Sequence, residues 1–362
     1  MDIETRMNLI KKVGEEIITE EELRTLLETK EHPIAYDGFE PSGLAGIHFG
    51  LYRAINVEDM LNAGVHFKLY LADWFAWINN KMGGDLEKIK QVGNYFIEVW
   101  KASGIDTKKI DVIWNSDVVK DPEYWKKVVL ISKNTNVNRA TRCLSIMGRK
   151  ETDLKEVSFF FYPMMQCADI FWLKADICQL GMDQRRVNML SREIGPKLGW
   201  WKPVVVSHHM LIGLQGVKAP EGFDNNADID IEISSKMSKS MPETCLYVHD
   251  SREDIFRKIQ KAYCPEKIVK DNPILEYAKY IIFRKLSTFN LTRKKEFGGD
   301  LELEAYEELE DLYTQGKIHP LDLKNSVAEA LDVLIKPIRE HFEKNKRAKE
   351  LYDVVRKSEI TR

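Results

Sequence analysis

The chain has 362 residues, 44% hydrophobic and 31% charged, with 54 Lys and Arg against 57 Asp and Glu for a net charge of −3. That length predicts two to three domains with at least one large core, and the near balance of charge excludes a protein that is basic throughout, so any surface for a polyanion must be local. The five cysteines (Cys143, Cys167, Cys178, Cys245, Cys264) are widely spaced and form no Cys-x-x-Cys pair, which argues against a disulfide framework and against a thiolate metal site.

Residues 1–32 read as a polar helical segment, in which the capping pattern Thr19-Glu20-Glu21-Glu22 starts a helix running to about Thr29. The first residues, Met1-Asp2-Ile3-Glu4, are charged, and no stretch approaches the ~18 apolar residues of a membrane span. A cytoplasmic setting without membrane attachment is the simplest expectation. Pro33-Ile34-Ala35-Tyr36 is a short buried strand. It breaks into a loop carrying Gly38, Glu40, Pro41, Ser42, Gly43 and Gly46, and the chain re-enters a helix from about Gly50 to Ala63. Strand, glycine-rich loop, helix is a shape that offers backbone N–H groups to a phosphate. Taken alone, it is equally a solvated connection.

His66–Asp73 and Ile110–Trp114 are the next strands, separated by a helix that Asp85 opens and that ends near Ala102. Pro122 to about Lys150 is helical and locally basic, and Ile177–Leu180 and Pro203–Ser207 are further strands, with Asp183 capping the helix between them. Strands alternating with helices predict an α/β fold with a doubly wound, Rossmann-like parallel sheet over residues 33–250, carrying a helical insertion at about 75–150. Residues 215–235 read as a polar loop. Beyond Ser251 come successive helices, Arg252–Tyr263, Ile274–Lys285, Tyr306–Gln315 and Asp322–Arg356, the last broken or kinked near Pro337. They predict an all-helical C-terminal domain, residues 251–362.

Two stretches carry chemistry. Lys236-Met237-Ser238-Lys239-Ser240 sets two cations three residues apart in a polar surround, as suits the shifting charge of a polyphosphate during displacement. In Phe161–Ile170, a helix would place Tyr162, Gln166 and Asp169 on one face. A phenol, an amide and a carboxylate along an otherwise apolar helix need partners, from an internal network or from a bound polar ligand.

His48-Phe49-Gly50-Leu51 together with Lys236-Met237-Ser238-Lys239-Ser240 resembles the paired signature of class I aminoacyl-tRNA synthetases. Residues 34–51, 158–193, 236–240 and 297–325 are similar to tyrosyl-tRNA synthetases of the archaeal and eukaryotic-cytosolic branch. The resemblance implies tyrosine and ATP as substrates, with Mg²⁺ carried on the nucleotide and no protein metal site. It implies activation as tyrosyl-adenylate, transfer to tRNA(Tyr), and a homodimer joined through the 75–150 insertion. By the same resemblance, Tyr36 and Asp169 meet the substrate's phenol, and Tyr162, Gln166 and Gln184 hold its ammonium end. Ser42, His48, Lys236 and Lys239 are the catalytic groups. ATP binding adds Gly38, Glu40, Gly50, Met237, Ser238 and Ser240. Phe297, His319 and Asp322 read the anticodon. The chain departs from the family's usual His-x-Gly-His at Leu51, whose side chain donates no hydrogen bond, so the nucleotide contact usually made there, often to the ribose, is absent or made elsewhere. Alternatives are the sister tryptophanyl enzyme, a catalytically silent tRNA-binding homologue, and a nucleotidyltransferase sharing the His-x-Gly loop.

Overall fold

Short runs of alternating apolar side chains pair edge to edge and build a six-stranded sheet. The strands are β1 (Glu16–Ile18), β2 (Ile34–Phe39), β3 (His66–Leu71), β4 (Ile110–Trp114), β5 (Ile177–Cys178) and β6 (Val204–Ser207). Their order is β1-β6-β5-β2-β3-β4, with every pair parallel except β1 against β6. The computed structural model describes residues 1–149, 153, 156–223, 226–238 and 241–358.

Side chains alternate across a strand, and here the alternation separates two cores. Ala35, Phe67, Leu69, Leu71, Ile177, Val204 and Val206 belong to one, which also holds the apolar faces of the helices Ile3–Val13, Arg53–Asn62 and Leu86–Ala102. Tyr36, Tyr70, Cys178 and Val205 belong to the other, with the helices Pro122–Lys133, Phe161–Trp172 and Arg185–Lys197. The first core continues into the C-terminal helices as far as Val355.

Helix starts follow their caps. Thr19 accepts from the Glu22 N–H, and Asp85 accepts from the N–H groups of Glu87 and Lys88 to start Leu86–Ala102. Four expectations need correction. Glu16–Ile18, inside a segment read as helical, is the antiparallel edge strand; three residues are too few to show a period. Ala227–Ser235, read as loop, is a helix capped by Asn226, whose side chain accepts from the N–H groups of Asp228 and Ile229. The C-terminal region is not all helical, since β7 (Phe289–Leu291) and β8 (Leu301–Leu303) form an antiparallel hairpin. Finally, the helix Pro320–Lys344 runs through Pro337 and ends at Asn345, which caps Lys346–Lys357 through Ala348. Pro337 is exposed, as is Val333, whose carbonyl receives no hydrogen bond from the proline nitrogen.

The helix Lys346–Lys357 folds back onto Leu86–Ala102. Tyr352 stacks on His249 at 4.0 Å, His249 Nε2 shares a hydrogen bond with the Tyr95 hydroxyl (2.8 Å), and that oxygen accepts from the Ala45 N–H at 3.2 Å. The C-terminal helix is thereby tied to the glycine-rich loop.

Candidate active site

At the C-terminal ends of β2, β3 and β5 lies a cavity of about 370 Å³, where open parallel sheets bind ligands. Tyr36 of β2, Tyr70 of β3 and Asp169 of Phe161–Trp172 line one end. Asp169 is 1% exposed and accepts from the Tyr70 hydroxyl at 2.7 Å; Tyr70 in turn accepts from Asn115 Nδ2 at 2.5 Å. The Tyr36 hydroxyl is buried without a partner among the described residues. Burial pushes the Asp169 carboxyl up to about 8, opposed by hydrogen bonds from Tyr70 and Tyr124. A buried acid facing an unpartnered phenol is a costly arrangement that a ligand hydroxyl would relieve.

Tyr162, Gln166 and Asp169 share one helix face and all line the cavity, as their spacing predicts. Tyr162 donates to Glu40 Oε1 (2.7 Å), which also accepts from Asn79 Nδ2 at 3.0 Å. Gln166 Nε2 donates to Gln184 Oε1 (3.1 Å), whose own amide donates to the Ile146 carbonyl (3.2 Å). These bonds hold the stripe's polar ends at the cavity wall.

The two signature loops meet at the far side, although 189 residues separate their contact. His48 Nδ1 lies 3.3 Å from Met237 Sδ, and the Met237 N–H donates to the Leu211 carbonyl at 2.7 Å. Lys236 Nζ donates to Asp183 Oδ2 (2.7 Å), so Asp183 pairs with the lysine loop, and the cap position expected of Asp183 on the helix Arg185–Lys197 belongs to Gln184. Gly38, Ser42 and Ser238 also line the cavity. Lys239 and Ser240 lie outside the described residues. Gly50 does not line the cavity: a Cβ there would stand 2.5 Å from Val248 Cγ1, so the glycine permits close packing. Leu51 is buried in the first core, away from the cavity wall.

Sequence reasoning missed a buried polar row beneath this end. Arg53 Nη2 bonds the carboxylate of Asp37 and donates to Gln179 Oε1 (2.7 Å), and Gln179 Nε2 stands 3.2 Å from His208 Nδ1. Asp37 within an apolar strand and Arg53 at the head of an apolar helix were the available signal, because a charge in such company is buried with its partner. Tyr70 and Asn115 carried no signal of that kind, since they come from the ends of neighbouring strands and meet only once the sheet forms.

In the C-terminal region, His319 caps Pro320–Lys344, its Nδ1 accepting from the Leu321 N–H at 3.1 Å, and half-buried Asp322 sits in the first turn. Arg293 donates to the carbonyls of Gly299 (2.8 Å) and Lys317 (2.7 Å), which draws the hairpin loop and the His319 turn together. The Phe297 side chain lies outside the described residues.

A family model described as tRNA synthetases class I (W and Y) matches residues 28–336. Tyrosine–tRNA ligase 1, cytoplasmic, of Arabidopsis thaliana is 44% identical over all of this chain and 90% of its own length. A tyrosine–tRNA ligase of Saccharolobus islandicus is 43% identical over the whole of both chains. The solved structure of the Pyrococcus horikoshii tyrosyl-tRNA synthetase with L-tyrosine superimposes with a TM-score of 0.89 at 39% identity, covering 99% of this chain and 100% of that one. The chain belongs to the class I aminoacyl-tRNA synthetases, in the tyrosyl-tRNA synthetase family of archaeal and eukaryotic-cytosolic type.

Proposed function

We propose that the chain attaches tyrosine to tRNA(Tyr) at the expense of ATP, with residues 33–250 as catalytic domain and 251–362 as anticodon-binding domain. The observation that carries this reading is the buried pair at the cavity's end, the acid of Asp169 and the unpartnered hydroxyl of Tyr36. A substrate phenol donates to Asp169 and accepts from Tyr36. Phenylalanine leaves the Tyr36 hydroxyl buried and unpaired and gives Asp169 nothing beyond its bond from Tyr70, the general basis of rejection by a polar site, for which tyrosyl-tRNA synthetases are the established example. Tyr162, Gln166 and Gln184 hold the ammonium end, three polar groups already fixed by their own bonds.

In the first step a substrate carboxylate oxygen attacks the α-phosphorus of ATP. The bond from that phosphorus to the bridging oxygen breaks, giving tyrosyl-adenylate and pyrophosphate. No side chain acts as nucleophile. Ser42, His48, Lys236 and Lys239 face the charge that builds on the departing pyrophosphate. A contact that tightens only in the transition state lowers the barrier by about 2–4 kcal/mol. Lys236 must exchange Asp183 for phosphate to do so. Among the described residues no cluster of three or more His, Cys, Asp or Glu side chains forms a metal cage. By the family resemblance Mg²⁺ would be carried on the nucleotide's phosphates, where it would neutralise charge.

In the second step a hydroxyl of the tRNA's terminal adenosine attacks the tyrosyl carbonyl and AMP leaves. The hairpin loop with Phe297, together with His319 and Asp322, is the proposed anticodon platform, Asp322 accepting from a base edge. Val129, Leu130 and Val137 stand exposed on helices of the 75–150 region, which supports a homodimer through that face; sedimentation equilibrium of the full chain checks it, a monomer at micromolar concentration counting against it. Amino-acid-dependent ATP–pyrophosphate exchange tests the function itself. Tyrosine is expected to drive it; stimulation by tryptophan alone, or by neither, overturns the reading.

A further inference from the structure

Leu51 brings no donor to the cavity, and the buried row beneath the cavity offers one. His208 follows β6, is 7% exposed and lines the cavity. Its ring meets Tyr52 edge-on at 5.9 Å, so it stands beside the turn that contains Leu51. Its tautomer follows from the row. Arg53 only donates, so the Gln179 oxygen must face it, at 2.7 Å. The Gln179 amide nitrogen then faces His208 and donates to Nδ1 at 3.2 Å. A ring that accepts at Nδ1 carries its proton on Nε2. Burial, and then the charge of Arg53, holds the imidazole well below its usual pKa and hence neutral. Nε2 has no hydrogen-bond partner among the described residues. A neutral, oriented N–H suits an uncharged acceptor, a sugar hydroxyl, better than a phosphate, for which the lysine loop provides cations.

We propose that His208 is a nucleotide-binding residue whose Nε2–H donates to a ribose hydroxyl of ATP, with Gln179, Arg53 and Asp37 as positioning residues that fix its tautomer. This rests on the reading of the chain as an ATP-using synthetase. The test is tyrosine-dependent ATP–pyrophosphate exchange by the full chain, using ATP, 2′-deoxyATP and 3′-deoxyATP. The unaltered protein is compared with His208→Phe, which keeps the ring's volume beside Tyr52, and with Gln179→Met, which keeps length but removes the amide. In the unaltered protein one of the two deoxy analogues is expected to show a KM about 5- to 10-fold above that of ATP. His208→Phe is expected to raise the KM for ATP by a similar factor, to leave the KM for tyrosine unchanged, and to erase the difference between ATP and that analogue. Gln179→Met moves the same parameters in the same direction by about 2- to 3-fold, and carries the test alone if thermal melting shows that His208→Phe does not fold. An unchanged KM for ATP, discrimination that survives the substitution, or a parallel rise for ATP and tyrosine overturns the inference. Absence of exchange in the unaltered protein overturns the synthetase reading, and this one with it.

Discussion

Asp37 and Asp169 are both fully buried carboxyl groups beside one cavity, yet they sit on opposite faces of the sheet and do different work. Asp37 lies with the helix Arg53–Asn62 and is matched by a full counter-charge, so burial raises its carboxyl to only about 6, with Arg53 pulling the other way. Asp169 lies across the sheet among phenols and an amide, has no cation, and is raised to about 8. The first has its counter-charge within the protein and holds the neighbouring row in place, although Nε and Nη1 of Arg53 are buried without partners among the described residues. The second is left incomplete and gains its missing partner only from a ligand. Where burial is compensated inside the chain, the group belongs to the scaffold; where it is not, the group belongs to the substrate.

The sharpest way to break that contrast is to neutralise each acid in turn. Asp37→Asn leaves the guanidinium of Arg53 buried without its counter-charge, and removing one partner of a buried pair costs about 3–5 kcal/mol. Chemical denaturation should show a loss of that size, whatever ligand is present. Asp169→Asn should do the reverse for the unliganded fold. Its folded-state pKa lies above the ordinary 3.8, so ionising it costs stability as pH rises from about 4 towards 8. The variant should melt above the unaltered protein at pH 8.5, and their difference should vanish near pH 4. Equal destabilisation by both substitutions would show that the two acids do the same job.

Next in size is the effect on activity. Asp169→Ala removes the acceptor for the substrate phenol, a charge-assisted bond worth about 1.5–3 kcal/mol. Tyrosine-dependent exchange should fall about 100-fold in kcat/KM, with folding intact by circular dichroism. Unchanged activity would refute the phenol-binding role.

The same contrast explains how much of the molecule was legible beforehand. The parallel sheet could be read because its strands are contiguous apolar runs between turn residues, and the Thr19 and Asp85 caps because capping is local. The stripe of Tyr162, Gln166 and Asp169 was legible since a helix fixes the faces of residues at those spacings. The Asp37–Arg53 pair was legible only in part, because each charge stands out in its element but a sequence does not say which partner it meets. Tyr70, Asn115 and His208 join the site only through pairing between strands distant in the chain. Pro337 misled for a related reason: its local cost is real, but the residue lies on an exposed side of the helix beside exposed Val333, and exposure is a tertiary property.

The smallest predicted effect is also the most discriminating, because it follows the Asp169 proton. Without ligand its carboxyl titrates near 8, so at pH 7 most of the population holds the proton. A phenol O–H donates best to the ionised form, so tyrosine binding must lower that pKa and release a proton below pH 8. Affinity should therefore weaken as pH falls from 8, by at most about tenfold per pH unit, and stop rising above 8, where the substrate's own ammonium begins to lose its proton ahead of its phenol near ~10. Titration calorimetry with tyrosine between pH 6 and 9, in two buffers of different ionisation enthalpy, reads both the slope and the released proton. Asp169→Asn should abolish the slope, while a conservative change remote from the cavity should preserve it. A pH-independent affinity in the unaltered protein would mean that Asp169 is already ionised before tyrosine arrives, and the distinction between the two buried acids would then fail.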